Sequence, residues 1–259
     1  MLRFSANLST LFQDLPLLER LPAAKAAGFD AVELWFPYEI EADRFAEALA
    51  ANRLACVGIN SPAGDVAAGD WGLATDPAQA AAFDASVDTA MRYARAIGCP
   101  NVHVMAGQPG DHVDTAIAWD TYRASLRRAI DIAREYGRKP MIEPLNALDR
   151  PRYLLQRQDQ AIALIEELGP DRLGLMLDLF HLQRGEGNLI ERMRRSLPYA
   201  AHVQIADVPG RHEPGTGEIR FEAVFAELES AAYAGWIGAE YFPAAGTVDS
   251  LGWMRALVR

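Results

Sequence analysis

Apolar residues recur along the chain in two alternating rhythms. Short runs rich in β-branched and aromatic side chains fall at Leu2–Leu8, Ala31–Phe36, Leu54–Ile59, Asn101–Ala106, Pro140–Leu145, Leu173–Phe180, Ala201–Ala206 and Trp236–Tyr241 and read as strands. Between them lie stripes at helical spacing. Over Asp76–Ile97, the residues Ala80, Phe83, Val87, Met91, Ala94 and Ile97 recur every three or four positions. A second stripe, Tyr122, Leu126, Ile130 and Ala133, precedes Gly137, which is suited to stop a helix. Further helices are expected at Leu15–Ala27, Glu41–Asn52, Gln158–Leu168, Leu189–Leu197, Phe221–Tyr233 and Val248–Val258. About eight strand–helix units with no linker between them predict an α/β fold, a single (β/α)8 TIM barrel spanning residues 1–259 as one domain.

In such a barrel the loops after the strands build the active-site face. The longest irregular stretch, Asn60–Thr75, follows the third strand. It reads either as a wall or lid of a site or as a solvent loop whose Trp71 packs on a helix.

Composition narrows the partners. With 35 acidic and 25 basic side chains, the net charge is -10, which repels a polyanion and argues against nucleic acid. No uninterrupted apolar run is long enough to cross a bilayer, so no membrane association is expected. The amino terminus turns polar too soon for a secretory signal. Cys56 and Cys99 are too few for a disulfide scaffold and lack C-x-x-C spacing, so they read as buried thiols of a cytoplasmic protein. A small-molecule substrate is the expected partner. Exposed helix faces leave a homo-oligomer open, although no heptad seam or charged zipper marks an interface.

Four polar residues interrupt apolar runs at the ends of consecutive expected strands: Glu143, Asp178, Gln204 and Glu240. Strand side chains alternate between faces, and helices cover the outside of a barrel, so these four point to solvent or into the barrel mouth. Burying several carboxylates without partners is costly, and a cation is the usual remedy. Oxygen ligands from four adjacent strands suit Mg2+ or Mn2+. Any one of the four alone reads better as a hydrogen-bonded core or solvent-facing residue, but all four together are hard to explain so. His181, three residues after Asp178, is expected where strand six meets its loop, as a substrate contact more than a metal ligand. Arg211, in the loop after strand seven, reads as a carboxylate-gripping side chain or as a solvated one. Glu33 and His103 are expected to hydrogen-bond in the core.

The chain resembles the hydroxypyruvate isomerase family within the xylose-isomerase-like TIM barrels. The likeness rests on Leu2-Arg3-Phe4-Ser5-Ala6-Asn7-Leu8-Ser9, Phe29-Asp30-Ala31-Val32-Glu33, Phe36-Pro37-Tyr38, Pro62-Ala63-Gly64-Asp65 and Ile142-Glu143-Pro144. It continues through Gln204-Ile205-Ala206-Asp207, Glu213-Pro214-Gly215-Thr216-Gly217-Glu218 and Gly235-Trp236-Ile237-Gly238-Ala239-Glu240-Tyr241, in order over nearly the whole chain. The resemblance implies that Glu143 and Glu240 are the catalytic acid/base pair and that Glu143, Asp178, Gln204 and Glu240 hold a divalent metal. It departs at Leu177-Asp178-Leu179-Phe180-His181, where the family has a tyrosine before the aspartate and another before the histidine.

The activity so implied is interconversion of hydroxypyruvate and tartronate semialdehyde by metal-assisted proton transfer through an enediolate, with Arg211 and His181 receiving the substrate carboxylate. Isomerisation of the longer 2-oxo-tetronate is the nearest alternative, its discrimination resting on Asn60–Thr75 and Trp35-Phe36-Pro37-Tyr38. A sugar 3-epimerase is more distant. An endonuclease of the same barrel superfamily would need more ligands and a basic groove. A non-catalytic binding barrel would not need two glutamates poised at one site.

Overall fold

Eight short parallel strands close into a barrel in sequence order: β1 (Arg3–Asn7), β2 (Ala31–Leu34), β3 (Ala55–Asn60), β4 (Asn101–His103), β5 (Lys139–Ile142), β6 (Gly174–Asp178), β7 (Ala200–Ile205) and β8 (Trp236–Ala239). Each expected strand is present, trimmed by a few residues at its ends. The structure, a computed structural model, describes residues 1–67 and 69–257. Position 68 of the long loop and Val258, the expected last residue of the final helix, lie outside them.

The helices are α1 (Leu17–Ala26), α2 (Ala42–Ala51), α3 (Ala80–Ala96), α4 (Thr115–Tyr136), α5 (Gln158–Leu168), α6 (Leu179–Glu186), α7 (Leu189–Ser196), α8 (Phe221–Ser230), α9 (Thr247–Ser250) and α10 (Gly252–Leu257). Their apolar stripes face the barrel: Phe83, Val87, Met91 and Ala94 of α3 and Tyr122, Leu126 and Ala133 of α4 are buried. Asp114 caps α4 by accepting from the Ala116 N–H at 2.7 Å, and Gly137 ends it in the left-handed region at φ 62°. Truncating Phe83 to Ala would cost about 3–5 kcal/mol by leaving a cavity.

One expected boundary is corrected. Leu179 and Phe180, read as strand, open α6 instead. Asp178 ends β6 and caps the helix, its Oδ1 accepting from the Phe180 N–H at 2.8 Å. An apolar Leu-Phe pair fits either element, and the capping carboxylate decides it.

Strand register gathers polar side chains at one end of the barrel. Asn7 lies beside Glu33, Asn60 beside His103, and Asp178 beside Gln204. Alternation turns the neighbouring Val32, Val102, Leu175 and Val203, all fully buried, to the opposite face of the strands, against the helices. The loops leaving the strand C-termini therefore surround a polar floor inside the barrel, with the apolar layer between strands and helices outside it.

Candidate active site

Glu143 and Glu240 each stand one residue beyond a strand, β5 and β8, with β6 and β7 between them carrying Asp178 and Gln204. All four are buried, at 7%, 5%, 2% and 2% exposure respectively, so the expected inward orientation holds.

These side chains fall into two hydrogen-bonded groups. On one side, Gln204 Nε2 donates to Glu33 Oε1 at 2.9 Å and also to Glu240 Oε2. Asn7 Nδ2 donates to the same two carboxylates, at 3.0 Å and 2.7 Å. His202 Nε2 pairs with Glu33 Oε2. Glu33 can cross the barrel mouth because β8 offers Gly238, where an added Cβ would lie 2.4 Å from Glu33 Oε1. The Gln204 amide turns its nitrogen toward these two carboxyl groups, and among the described residues its Oε1 is left buried without a partner.

On the other side, Glu143 is sparsely partnered. Its Oε2 lies 3.4 Å from His103 Nδ1, and its Oε1 lies 3.9 Å from His181 Nε2. His181 sits in the first turn of α6, not at a strand–loop junction, and its Nδ1 accepts the Asn146 backbone N–H at 3.2 Å. A neutral ring with an accepting Nδ1 carries its proton on Nε2, which faces Asp178 Oδ2 at 3.7 Å. Burial, reinforced by Arg211 and Arg150, pushes His181 well below the usual histidine range, so the ring is neutral. Burial likewise lowers His103 to about 3.

Arg211 joins the halves. Its Nη2 donates to Asp178 Oδ2 at 3.2 Å and to Glu240 Oε1, and its guanidinium lies over the Phe180 ring, 4.9 Å from the centroid. Phe180 also meets His181 edge-on at 5.4 Å, so this ring supports both site residues without a hydroxyl. The β7–α8 loop that delivers Arg211 is organised by Asp207. Its Oδ2 accepts the N–H groups of Gly215 at 2.9 Å and Gly217 at 2.8 Å, and its Oδ1 accepts that of Ile219 at 3.0 Å. At Gly217 a Cβ would meet the Val208 carbonyl at 2.0 Å, so the loop closes only on glycine.

The electrostatics suit proton transfer. Burial raises Glu143 well above the usual carboxylate range, with Asp178 and Glu240 pushing the same way and Arg211 opposing. Burial raises Glu240 to about 8 against the pull of Arg211. Asp178 is raised by burial, partly offset by Arg211 and the α6 N–H groups. Four buried carboxylates, counting Glu33, thus share the floor with one guanidinium and His202, an excess of negative charge that a divalent cation would offset. Glu143 and Asp178 offer carboxylate oxygens within 4.8 Å of one another, a cluster that His181 joins only by giving up its Nε2 proton, and Gln204 Oε1 is a further oxygen donor. The donor set fits a metal on these observations.

Above the floor opens a cavity of about 450 Å³, walled by Trp35, Trp71, Arg150 and Phe242. Trp71 places the Asn60–Thr75 loop in the wall, as the first of its two expected readings required. Glu33 is hydrogen-bonded in the core as expected, whereas His103 is buried with neither ring nitrogen hydrogen-bonded among the described residues, its Nδ1 only lying 3.4 Å from Glu143. Sequence reading passed over Asn7, His202, Asn146 and Arg150, and Asp207 was seen only as part of a motif. The first four take their roles from partners distant in the chain, as with His202 and Glu33, 169 residues apart, whereas Asp207 works through N–H groups of its own loop.

The fold and this floor define a barrel of the sugar-isomerase kind. The chain belongs to the xylose isomerase-like TIM barrel family, whose profile matches residues 21–257. It is 41% identical over 98% of its length to a 2-oxo-tetronate isomerase of Cupriavidus necator, covering 97% of that protein. It is 39% identical to a hydroxypyruvate isomerase of Escherichia coli, covering 98% of each chain. A crystal structure described as an AP endonuclease, family 2, from Brucella melitensis superposes with a TM-score of 0.95 at 38% identity, covering 99% of each chain. Among the described residues no helix is long and apolar enough to cross a membrane.

Proposed function

We propose that the chain is a hydroxypyruvate isomerase, an enzyme that interconverts hydroxypyruvate and tartronate semialdehyde. The observation that carries this is the pair of buried glutamates, Glu143 and Glu240, flanking Asp178 and Gln204, with carboxyl groups that burial holds above the ordinary carboxylate range. The reaction moves one proton from C3 to C2 and one hydroxyl proton from the C3 oxygen to the C2 oxygen. One glutamate takes the carbon-bound proton while the other delivers a proton to the neighbouring carbon. The Nε2–H of His181 and the Arg211 guanidinium hold the substrate oxygens in place. Phe180 and the Asp207-organised loop keep those two donors fixed, so little reorganisation is needed as charge develops.

Glu143, Asp178, Gln204 and Glu240 would hold the metal, Mg2+ or Mn2+. When bound, such an ion supplies charge that polarises the carbonyl and stabilises the enediolate. His181 is assigned to substrate and not to the ion because its Nε2 carries the proton. The test is solvent exchange. In D2O with Mg2+ or Mn2+, the protein is expected to wash deuterium into hydroxypyruvate and to form tartronate semialdehyde, and chelation is expected to abolish both. Exchange that survives exhaustive chelation overturns the metal assignment.

Isomerisation of 2-oxo-tetronate is the second reading, favoured by the Cupriavidus necator relative and by a cavity with room for a further hydroxymethyl group. Running both acids side by side ranks them. The name of the Brucella melitensis structure raises abasic-site cleavage. The net charge of -10 speaks against it, and no cleavage of an abasic duplex is expected.

A further inference from the structure

The cavity is electrically lopsided. Its floor carries the carboxylates, and the one cationic donor there, Arg211, is engaged by Asp178 and Glu240. The wall carries a second arginine with a different character. Arg150 lies in the β5–α5 loop with its guanidinium carbon 3.7 Å from the centroid of the Trp71 ring. Among the described residues its side-chain nitrogens donate to no protein acceptor and form no ion pair. The neighbouring Asp149 is taken, by Arg184 at 3.0 Å and by Asn146 Nδ2 at 2.9 Å.

We propose that Arg150, laid flat on Trp71, is the receptor for the substrate's carboxylate and selects short 2-oxo acids over uncharged hydroxyketones. The geometry supports this on three counts. Stacking uses the face of the guanidinium and leaves its edge, the fork that grips a carboxylate through two parallel N–H bonds, free toward the cavity. Both partners are set in place beforehand. The Arg150 N–H donates to the Asn146 carbonyl at 3.0 Å, and the Arg150 carbonyl accepts from Tyr153 N at 3.2 Å and Gln156 Nε2 at 3.1 Å. The Trp71 loop is pinned by Gly72 N donating to Ala63 O at 3.0 Å and by the bridge between Leu73 and Gly107. Little ordering remains to be done on binding. Finally, a carboxylate at Arg150 keeps the substrate's negative end away from the acidic floor, while the hydroxyketone end meets the glutamates. Arg211 and His181 then serve the oxygens of the reacting carbons.

This assignment rests on the isomerase reading, and steady-state kinetics separates the two. In Arg150→Met the KM for hydroxypyruvate is expected to rise about 10–100-fold with kcat changed by less than about 3-fold. Arg150→Lys, which keeps the charge but not the fork, is expected to show a rise of a few-fold and remains informative should the Met variant fold poorly. Inhibition by hydroxyacetone, which has the hydroxyketone but no carboxylate, is expected to be the same in both variants and the native protein. An unchanged KM, a loss confined to kcat, or a parallel change in hydroxyacetone inhibition overturns the carboxylate assignment alone. Absence of turnover of both hydroxypyruvate and 2-oxo-tetronate by the native protein overturns the isomerase reading and this assignment with it.

Discussion

Two glutamates share the barrel mouth and live in opposite circumstances. Glu33 accepts from Asn7 and Gln204 and pairs with His202, so its oxygens are spoken for. The Glu143 carboxylate has only His103 at 3.4 Å and His181 at 3.9 Å. Both are almost fully buried, at 2% and 7% exposure, so burial alone does not distinguish a working carboxylate from a supporting one. Partnering does. Glu33 is held by fixed amides and His202 and behaves as scaffold, Glu143 is left short and retains affinity for a proton, a cation or a substrate, and Glu240 stands between them, its Oε2 tied by Asn7 and Gln204 and its Oε1 met by the loop-borne Arg211.

That contrast can be broken by experiment. Glu143→Gln and Glu240→Gln are each expected to lower kcat about 10²–10⁴-fold with the fold intact, read by deuterium exchange and circular dichroism. Native turnover in both would end the acid/base assignment. Glu33→Gln should act at a distance, because a glutamine there no longer holds the Gln204 amide in one orientation. The expected result is a loss of about 10–100-fold in Mn2+ affinity, measured by titration without substrate. Gly238→Ala, which pushes on the same Glu33 oxygen, should shift affinity in the same direction.

The smallest effect is a pH dependence. Glu240, raised to about 8 by burial against an ordinary 4.5, keeps a proton in the folded chain that the unfolded chain has released. Between those values the folded state holds more protons, so metal-free stability falls as pH rises. A cation that needs the ionised carboxylate gains affinity over the same interval. The thermal shift produced by Mn2+ is therefore expected to grow from about pH 6 to about pH 8.5 and to grow less steeply in Glu240→Gln, where the raised Glu143 carboxyl remains. A shift independent of pH in the native protein would show that Glu240 does not release a proton to the ion.

Much of this arrangement was legible in the chain. Short runs of β-branched and aromatic residues between helical stripes located all eight strands, because a barrel wrapped by helices buries its strands on both faces and its helices on one. Glu143, Asp178, Gln204 and Glu240 stood out because each breaks an apolar run. The start of α6 did not, since Leu179 and Phe180 are apolar in either element and only the contact between Asp178 and the Phe180 N–H decides between them. Arg150 and Trp71 were illegible for another reason. Their pairing joins two loops separated by most of two strand–helix units, and no spacing in the sequence encodes it.

The cap that ends β6 also bears on which ion the floor would accept. Asp178 Oδ1 is held by the Phe180 N–H, and Glu240 Oε2 by Asn7 and Gln204, so each carboxylate has one oxygen tied to the scaffold and a second held by Arg211 alone. Denticity is thereby set in advance. On the proposed ligand set the floor suits a small octahedral ion and gives Ca2+ few of the bidentate oxygens it favours, making the helix cap a filter against the larger cation.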